Sequence, residues 1–268
     1  MDILTHAVSG MAVATCAATF VKGNVLRKAK IILTGTLGGM VPDIDAVSMW
    51  SRFDSTFGAL FNLSHSGKVI YGNKFWYSHH AFLHSLLASL FIGAAIVLMV
   101  YLVRRALMKD STDFSHFIKN HFIYFIVFVL GYWAHLAGDL PTPASVWNGV
   151  ALFWPSQDYI GGSGKIWWWN NYDIFLLIVC CITINLIVAA IAKQLRGKAK
   201  WITSLVLLIT FILILHQVNT RQYNYAYAGS TSRYTEMEQN SKKEQERILG
   251  KTLYRLMERF DRSLIFYF

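Results

Sequence analysis

Eight residues in the first 139 positions carry the side chains of a metal centre: His6, Asp43, Asp45, His79, His80, His84, His135 and Asp139. Neutral imidazole and carboxylate are ligands for zinc and other first-row transition metals. His135 and Asp139 are four apart, so on a helix they share one face. His80 and His84 stand in the same relation. Asp43 and Asp45, in Pro42-Asp43-Ile44-Asp45, point the same way if the chain is extended there. So many ligands exceed what one tetrahedral ion needs, and two divalent ions are expected, zinc favoured and manganese the alternative. Two ions of that kind clamp and polarise a phosphoryl group and activate water. A carboxylate not fully engaged by metal, Asp43, is the candidate general base. His79 and His80 compete for one ligand position, which stays open at this point. His65, His116, His121 and His216 read as interfacial histidines.

These residues must be positioned by helices in a membrane. Of 268 residues, 54% are hydrophobic and only 15% charged, with mean hydropathy +0.38. That excludes a disordered chain and departs from soluble domains, where charged residues run near roughly 25%. Runs long enough to span a bilayer occupy 81–103, 121–139, 173–192 and 201–218, with a small-residue run at 3–21. A shorter run, 27–41, stops at Pro42. Counting it gives about six transmembrane helices in an all-α, polytopic bundle. Gly10 and Ala14, and Gly35 and Gly39, have the spacing that lets helices pack closely in lipid. The N-terminus lacks a basic region before its apolar run, so this run is expected to remain in the mature protein. Cys16, Cys180 and Cys181 form no ligand or disulfide pattern and read as small buried hydrophobes.

Charge orients the bundle. The formal net charge is +10. Lys22, Arg27, Lys28 and Lys30 fill one connection. Arg104, Arg105, Lys109 and Lys119 fill a second, and Lys193, Arg196, Lys198 and Lys200 a third. The loops 46–78 and 140–172 hold only Arg52, Lys68, Lys74 and Lys165. With six spans the basic loops share one side, which the positive-inside rule makes cytoplasmic. His6, Asp43, Asp45, His79, His80, His84, His135 and Asp139 then all fall at the outer end, as does the C-terminal tail. Seven of nine Trp lie in the outward loops, expected as an interfacial belt. Because topology accounts for much of the basic excess, nucleic acid is not an expected partner.

Two regions follow: a transmembrane metal-centre domain, 1–218, and a tail, 219–268. The tail holds all five Glu of the chain. Thr235 and Glu238 have capping-box spacing. Leu249, Leu253, Leu256 and Phe260 predict an amphipathic helix, lying on the membrane or packed over the loops.

The order of these pieces resembles the bacterial membrane-bound metal-dependent hydrolase family (YdjM-like, LexA-regulated inner-membrane proteins). The resemblance is carried by His6, by Gly38-Gly39-Met40-Val41-Pro42-Asp43-Ile44-Asp45, by His79 to Leu87, and by Gly131 to Asp139 with Pro141-Thr142-Pro143 and Leu152-Phe153-Trp154-Pro155. The family's His-Arg-Gly-x-Thr-His-Ser motif meets His79, His80, Ala81, Phe82, Leu83, His84 and Ser85. His79, His84 and Ser85 match it, and the Arg, Gly and Thr positions do not. His135-Leu136-Ala137-Gly138-Asp139 is also similar to a motif of zinc-dependent phospholipase C. The resemblance implies hydrolysis of a phosphoester, in a lipid or lipid-linked substrate, at the inner membrane. Two other readings are an ion path through the bundle and a metal that staples helices without catalysis. The cytoplasmic halves of the helices are not expected to carry a matching polar path.

Overall fold

The computed structural model describes residues 1–107 and 112–264. Lys109, assigned above to a basic connection, lies outside them. The bundle helices are α1 (Ile3–Ala18), α2 (Val25–Met40), α4 (Leu86–Leu107), α5 (Phe114–Asp139), α6 (Tyr172–Ala190) and α7 (Ala199–Asn219). A short α3 (Gly67–Gly72) lies between α2 and α4, and α8 (Tyr234–Arg262) forms the tail. Among the described residues there are no strands, only isolated bridges. The fold is therefore all-α. Four helices, α4 to α7, are long and apolar enough to cross a membrane. At 16 residues each, α1 and α2 are shorter than the roughly 17–25 residues of a span.

Local chemistry sets the helix starts. The Asp2 carboxylate accepts from Thr5 N at 2.7 Å, and Asn24 caps α2 through Arg27 N at 3.0 Å. Pro42 stands where α2 gives way to a tight 3-10 segment, Val41–Met49. α1, α2 and α5 meet through glycine. A side-chain carbon on Gly39 would strike the His6 carbonyl, and one on Gly131 would strike the Gly35 carbonyl. Backbones this close gain dispersion contacts in lipid, where no hydrophobic force draws helices together. His6 lies beside the end of α2, so α1 runs antiparallel to α2 and brings the start of one to the end of the other.

On the other flank, α1 meets α6 and α7 through uncharged polar groups. Asn185 donates to Thr15 Oγ1 at 3.2 Å, Thr19 and Thr203 share a bond of 2.8 Å, and Cys16 donates to Thr203 at 3.7 Å. These are polar side chains in the half where none were expected to match. They bond to one another across helices, which makes them interhelical glue. Cys16 and Cys181 are buried as expected, whereas Cys180 is exposed on α6.

The tail packs over the loops rather than standing apart. Buried Asp173, at the start of α6, accepts from Arg221 at 2.9 Å and from Gln245 of α8 at 3.0 Å, and its own N–H donates to Gln245 at 3.0 Å. Trp147, Trp167 and Trp168 join Tyr225 and Met237 in one buried cluster. These three Trp therefore do not form a membrane belt: packing against the tail removes them from the surface. Trp50 and Trp76 are exposed. The capping box is absent as well. α8 starts two residues early, with Arg233 rather than Thr235 at its cap and paired to Glu236 at 3.0 Å. Past a kink at Gly250, Met257 packs on Tyr172 and Phe175 while Leu253, Leu256 and Phe260 stay exposed. Gln245→Ala removes two buried hydrogen bonds and is expected to destabilise the tail by about 1–3 kcal/mol. Limited proteolysis in detergent checks this: the variant should be cut between α7 and α8 at a protease concentration that spares wild type.

Candidate metal centre

All eight predicted residues converge at one end of the bundle, from four parts of the chain. His135 and Asp139 meet across one helical turn, Nε2 to Oδ2 at 3.0 Å, as their spacing predicts. His6 reaches the other oxygen of Asp139 at 3.0 Å and stacks on His135 with ring centroids 3.6 Å apart. The Met1 ammonium also lies 2.7 Å from Asp139. Gly39 contributes twice. Its missing side chain admits His6, and its carbonyl lies 2.8 Å from His135 Nδ1. That bond makes Nδ1 the protonated nitrogen and leaves Nε2 free to act as a ligand.

Two local expectations fail, though the residues still converge. Asp43 and Asp45 are not in extended chain but in the 3-10 segment after α2. Pro42 favours the tight turn, and the two carboxylates straddle one ring instead of sharing a strand face. Asp43 Oδ1 lies 3.6 Å from His84 Nε2, and Asp45 Oδ2 lies 3.3 Å from His84 Nδ1. His80 and His84 do not share a helix face either, because α4 begins only at Leu86. His80 sits at φ +62° in the preceding loop, and His84 ends a short 3-10 turn, Phe82–His84.

His79 and His80 separate by environment. His79 Nδ1 is 2.7 Å from Asp45 Oδ1. His80 Nδ1 donates to the Gly149 carbonyl at 3.0 Å, and its ring packs against Trp147 and Trp168. Gly149, at φ +108°, holds a backbone conformation that favours glycine, and a side chain there would strike Ile160. Four groupings of three residues place ligand atoms within 4.8 Å of one another: His79–His80–His84, His6–His135–Asp139, Asp43–His84–His135 and Asp43–Asp45–His79.

Electrostatics follow from three carboxylates among five imidazoles. Burial opposes ionising Asp43 and Asp45, yet the facing imidazoles hold Asp43 well below the usual carboxylate range and Asp45 at about 2. Burial disfavours the His84 cation, but Asp45 and Asp43 outweigh it and push it up to about 10, so a divalent cation bound by this ring would have to displace its proton. Burial keeps His80 neutral, well below its ordinary value. Several buried atoms face one another without a well-formed hydrogen bond, His6 Nε2 toward Asp139, His84 Nδ1 toward Asp45 Oδ2 and Asp139 Oδ2 toward His135, and His6 Nδ1 has no partner among the described residues. Lone pairs buried without a donor are costly, and a divalent cation is the partner that suits this donor set.

A cavity of about 440 Å³ opens onto the cluster, reaching Asp43, His79, His80 and Asp139. Its other walls include Trp147 and Trp168, from the Trp-rich outward loops, and Asp2, Tyr71, Tyr227 and Tyr234, which sequence reasoning missed. Tyr71 stacks on His79 at 4.6 Å, and burial with Asp43, Asp45 and Asp139 nearby raises its phenol above the ordinary range. No spacing in the sequence marks Tyr71; the dense aromatic content of the 140–172 loop was the only signal for the wall. His121 lies away from the centre, bonded to the Phe117 carbonyl at 2.8 Å and facing Arg104, and His65 stacks on Phe75.

Residues 1–222 match the family model described as YdjM inner membrane protein. The chain belongs to the YdjM inner membrane protein family. The matched span contains every residue of the cluster and ends as the tail begins. Membership and the apolar helices together make this YdjM-family chain an integral inner membrane protein. Neither the curated proteins nor the solved structures include a match.

Proposed function

We propose that the protein is a membrane-bound, metal-dependent hydrolase that cleaves a phosphoester in a lipid or lipid-linked substrate. One observation carries this reading: a cavity large enough for a small-molecule group opens onto a cluster of buried imidazoles and carboxylates whose ligand atoms converge without forming a complete hydrogen-bond network. His6, His135 and Asp139 would hold one ion, and Asp45, His79 and His84 a second, with Asp43 only partly engaged and facing the cavity. Divalent ions, zinc or manganese, would supply Lewis-acid polarisation of the phosphoryl group and acidify water.

The chain's own groups supply the rest. Among the three carboxylates the Asp43 side chain is the most exposed, 13% against 4% for Asp45 and 2% for Asp139. It faces the cavity and suits the general base. The Tyr71 phenol keeps its proton and can donate to a phosphoryl or leaving oxygen. The aromatic walls of Trp147 and Trp168 exclude water around the reacting group. The open cavity speaks against a fully closed metal staple. The glue-like seam of Thr15, Asn185 and Thr203 holds no ionisable carboxylate or imidazole, and so does not extend the cluster into an ion path. The basic connections, read by the positive-inside rule, support an outward-facing site and tail.

The test is metal content of detergent-purified protein by elemental mass spectrometry, followed by hydrolysis of bis(p-nitrophenyl) phosphate. About two zinc or manganese per chain with turnover is expected. Well-folded protein that takes up no metal even on addition sinks the reading. Within it, His79→Ala should weaken metal binding by about 100-fold or more, and His80→Ala by about tenfold, the effect of losing an orienting neighbour. Chelator competition separates the two. Equal losses would make His80 a ligand too.

A further inference from the structure

A second cavity lies beside the first and is of the opposite character. It is a groove of about 560 Å³ between α1, α5, α6 and α7, capped by the 140–166 loop. Its walls include Val13, Ala134, Ile178, Leu207 and Ile214, and it extends along α7 from Asn219 to Leu207. Twelve residues of helix make that roughly 18 Å. Phe211 and Leu215 line it and are themselves half exposed on a helix apolar enough to span the membrane, so the groove is open to the bilayer side. Its inner wall is thin at Gly138. A side-chain carbon placed there would lie 2.9 Å from Met1 and 3.2 Å from the His6 ring. Met1 lines both cavities. At the loop end stands a cationic side chain, Lys165, exposed at the groove's mouth.

We propose that this groove holds the hydrocarbon chain of a phosphate-bearing membrane lipid, with Lys165 gripping the phosphate at its mouth beside the metal centre. The link to chemistry rests on the hydrolase reading above. The groove carries Lys165 at its loop end and adjoins the polar cavity at Met1 and Gly138, so a lipid chain in the groove would bring its headgroup near the reacting groups. In lipid an acyl chain gains little by leaving its neighbours for an equally apolar wall. The groove therefore positions by shape, and selectivity must come from the phosphate at Lys165.

The experiment uses the full chain in nanodiscs of phosphatidylcholine, with a phosphatidic acid carrying a diazirine in its acyl chain. Photolabelled residues are mapped by peptide mass spectrometry. Labelling is expected at the groove residues of α1, α5 and α7 above that of the lipid-facing α4 surface of Leu90, Phe91 and Leu98. Dodecyl phosphate should displace it and dodecanol should not. Lys165→Gln should weaken it about tenfold, as loss of a charge-assisted bond does. Ile214→Trp, which fills the groove, should reduce it to the α4 level. Uniform labelling, or equal displacement by dodecanol, overturns the proposal. Hydrolysis of bis(p-nitrophenyl) phosphate by the same samples judges the other reading separately: groove labelling without turnover keeps the lipid site and removes the hydrolase, and turnover without groove labelling does the reverse.

Discussion

His135→Ala will weaken metal binding by at least about 100-fold, the upper end of what even an orienting neighbour contributes. Its ring meets four members of the cluster, His6, His84, Asp43 and Asp139. Its Nε2 lies 3.0 Å from Asp139, 3.4 Å from His84 and 3.7 Å from Asp43, so it joins the two halves of the centre. Its orientation is set before any ligand arrives, because Nδ1 is held by the Gly39 carbonyl at 2.8 Å. Truncation removes that ligand and leaves His6 without the ring it stacks on. Asp139→Ala should behave alike, since its carboxylate faces His6, His84 and His135. His121→Ala is the control: that ring is half a helix away and bonds only to Phe117 and toward Arg104. Zinc affinity by chelator competition, on variants that elute as wild type does, decides the matter. A folded His135→Ala protein with wild-type affinity would remove this residue, and the arrangement built around it, from the centre.

The second large effect is on the scaffold. Gly39→Val places carbon where the His6 carbonyl and Gly10 now stand. Both obstacles are backbone, so neither can rotate away, and α1 must separate from α2. Overpacking of this kind costs about 1–3 kcal/mol or more. Because His6 moves with α1, metal affinity should fall together with thermal stability. Gly72→Ala is the matched control: α3 offers open space around Gly72, and the change should stay within about 0.5 kcal/mol. Thermal unfolding in detergent, with and without added zinc, reads both effects. A Gly39→Val protein as stable as wild type would show that the close approach of α1 and α2 is not what holds the bundle together.

The residues of the candidate site were largely legible in the sequence. In an apolar chain an ionisable side chain is expensive, so His6, Asp43, Asp45, His84, His135 and Asp139 stand out by type alone. Helical spacing placed His135 over Asp139, and Gly10, Gly35 and Gly39 announced a close helix contact. Both follow from the 3.6-residue turn, which is a property of neighbouring residues. What lay beyond reach were matters of tertiary contact. A strand-like period for Asp43 and Asp45 and a helical one for His80 and His84 were both wrong, because Pro42 and the loop before Leu86 hold these residues in tight turns whose form depends on what they pack against. Trp147, Trp167 and Trp168 looked like membrane anchors until the tail covered them. Composition reports how much apolar surface a chain carries; only the fold determines which of it meets lipid and which meets protein. Tyr71 and the tail tyrosines reach the cavity by long-range packing that no local pattern encodes. The sequence by itself determined which ionisable residues would gather in one candidate site and that helices in a membrane would carry them. The tertiary structure alone decided how they pair around His84 and His135, what walls the cavity, and that an apolar groove runs alongside it.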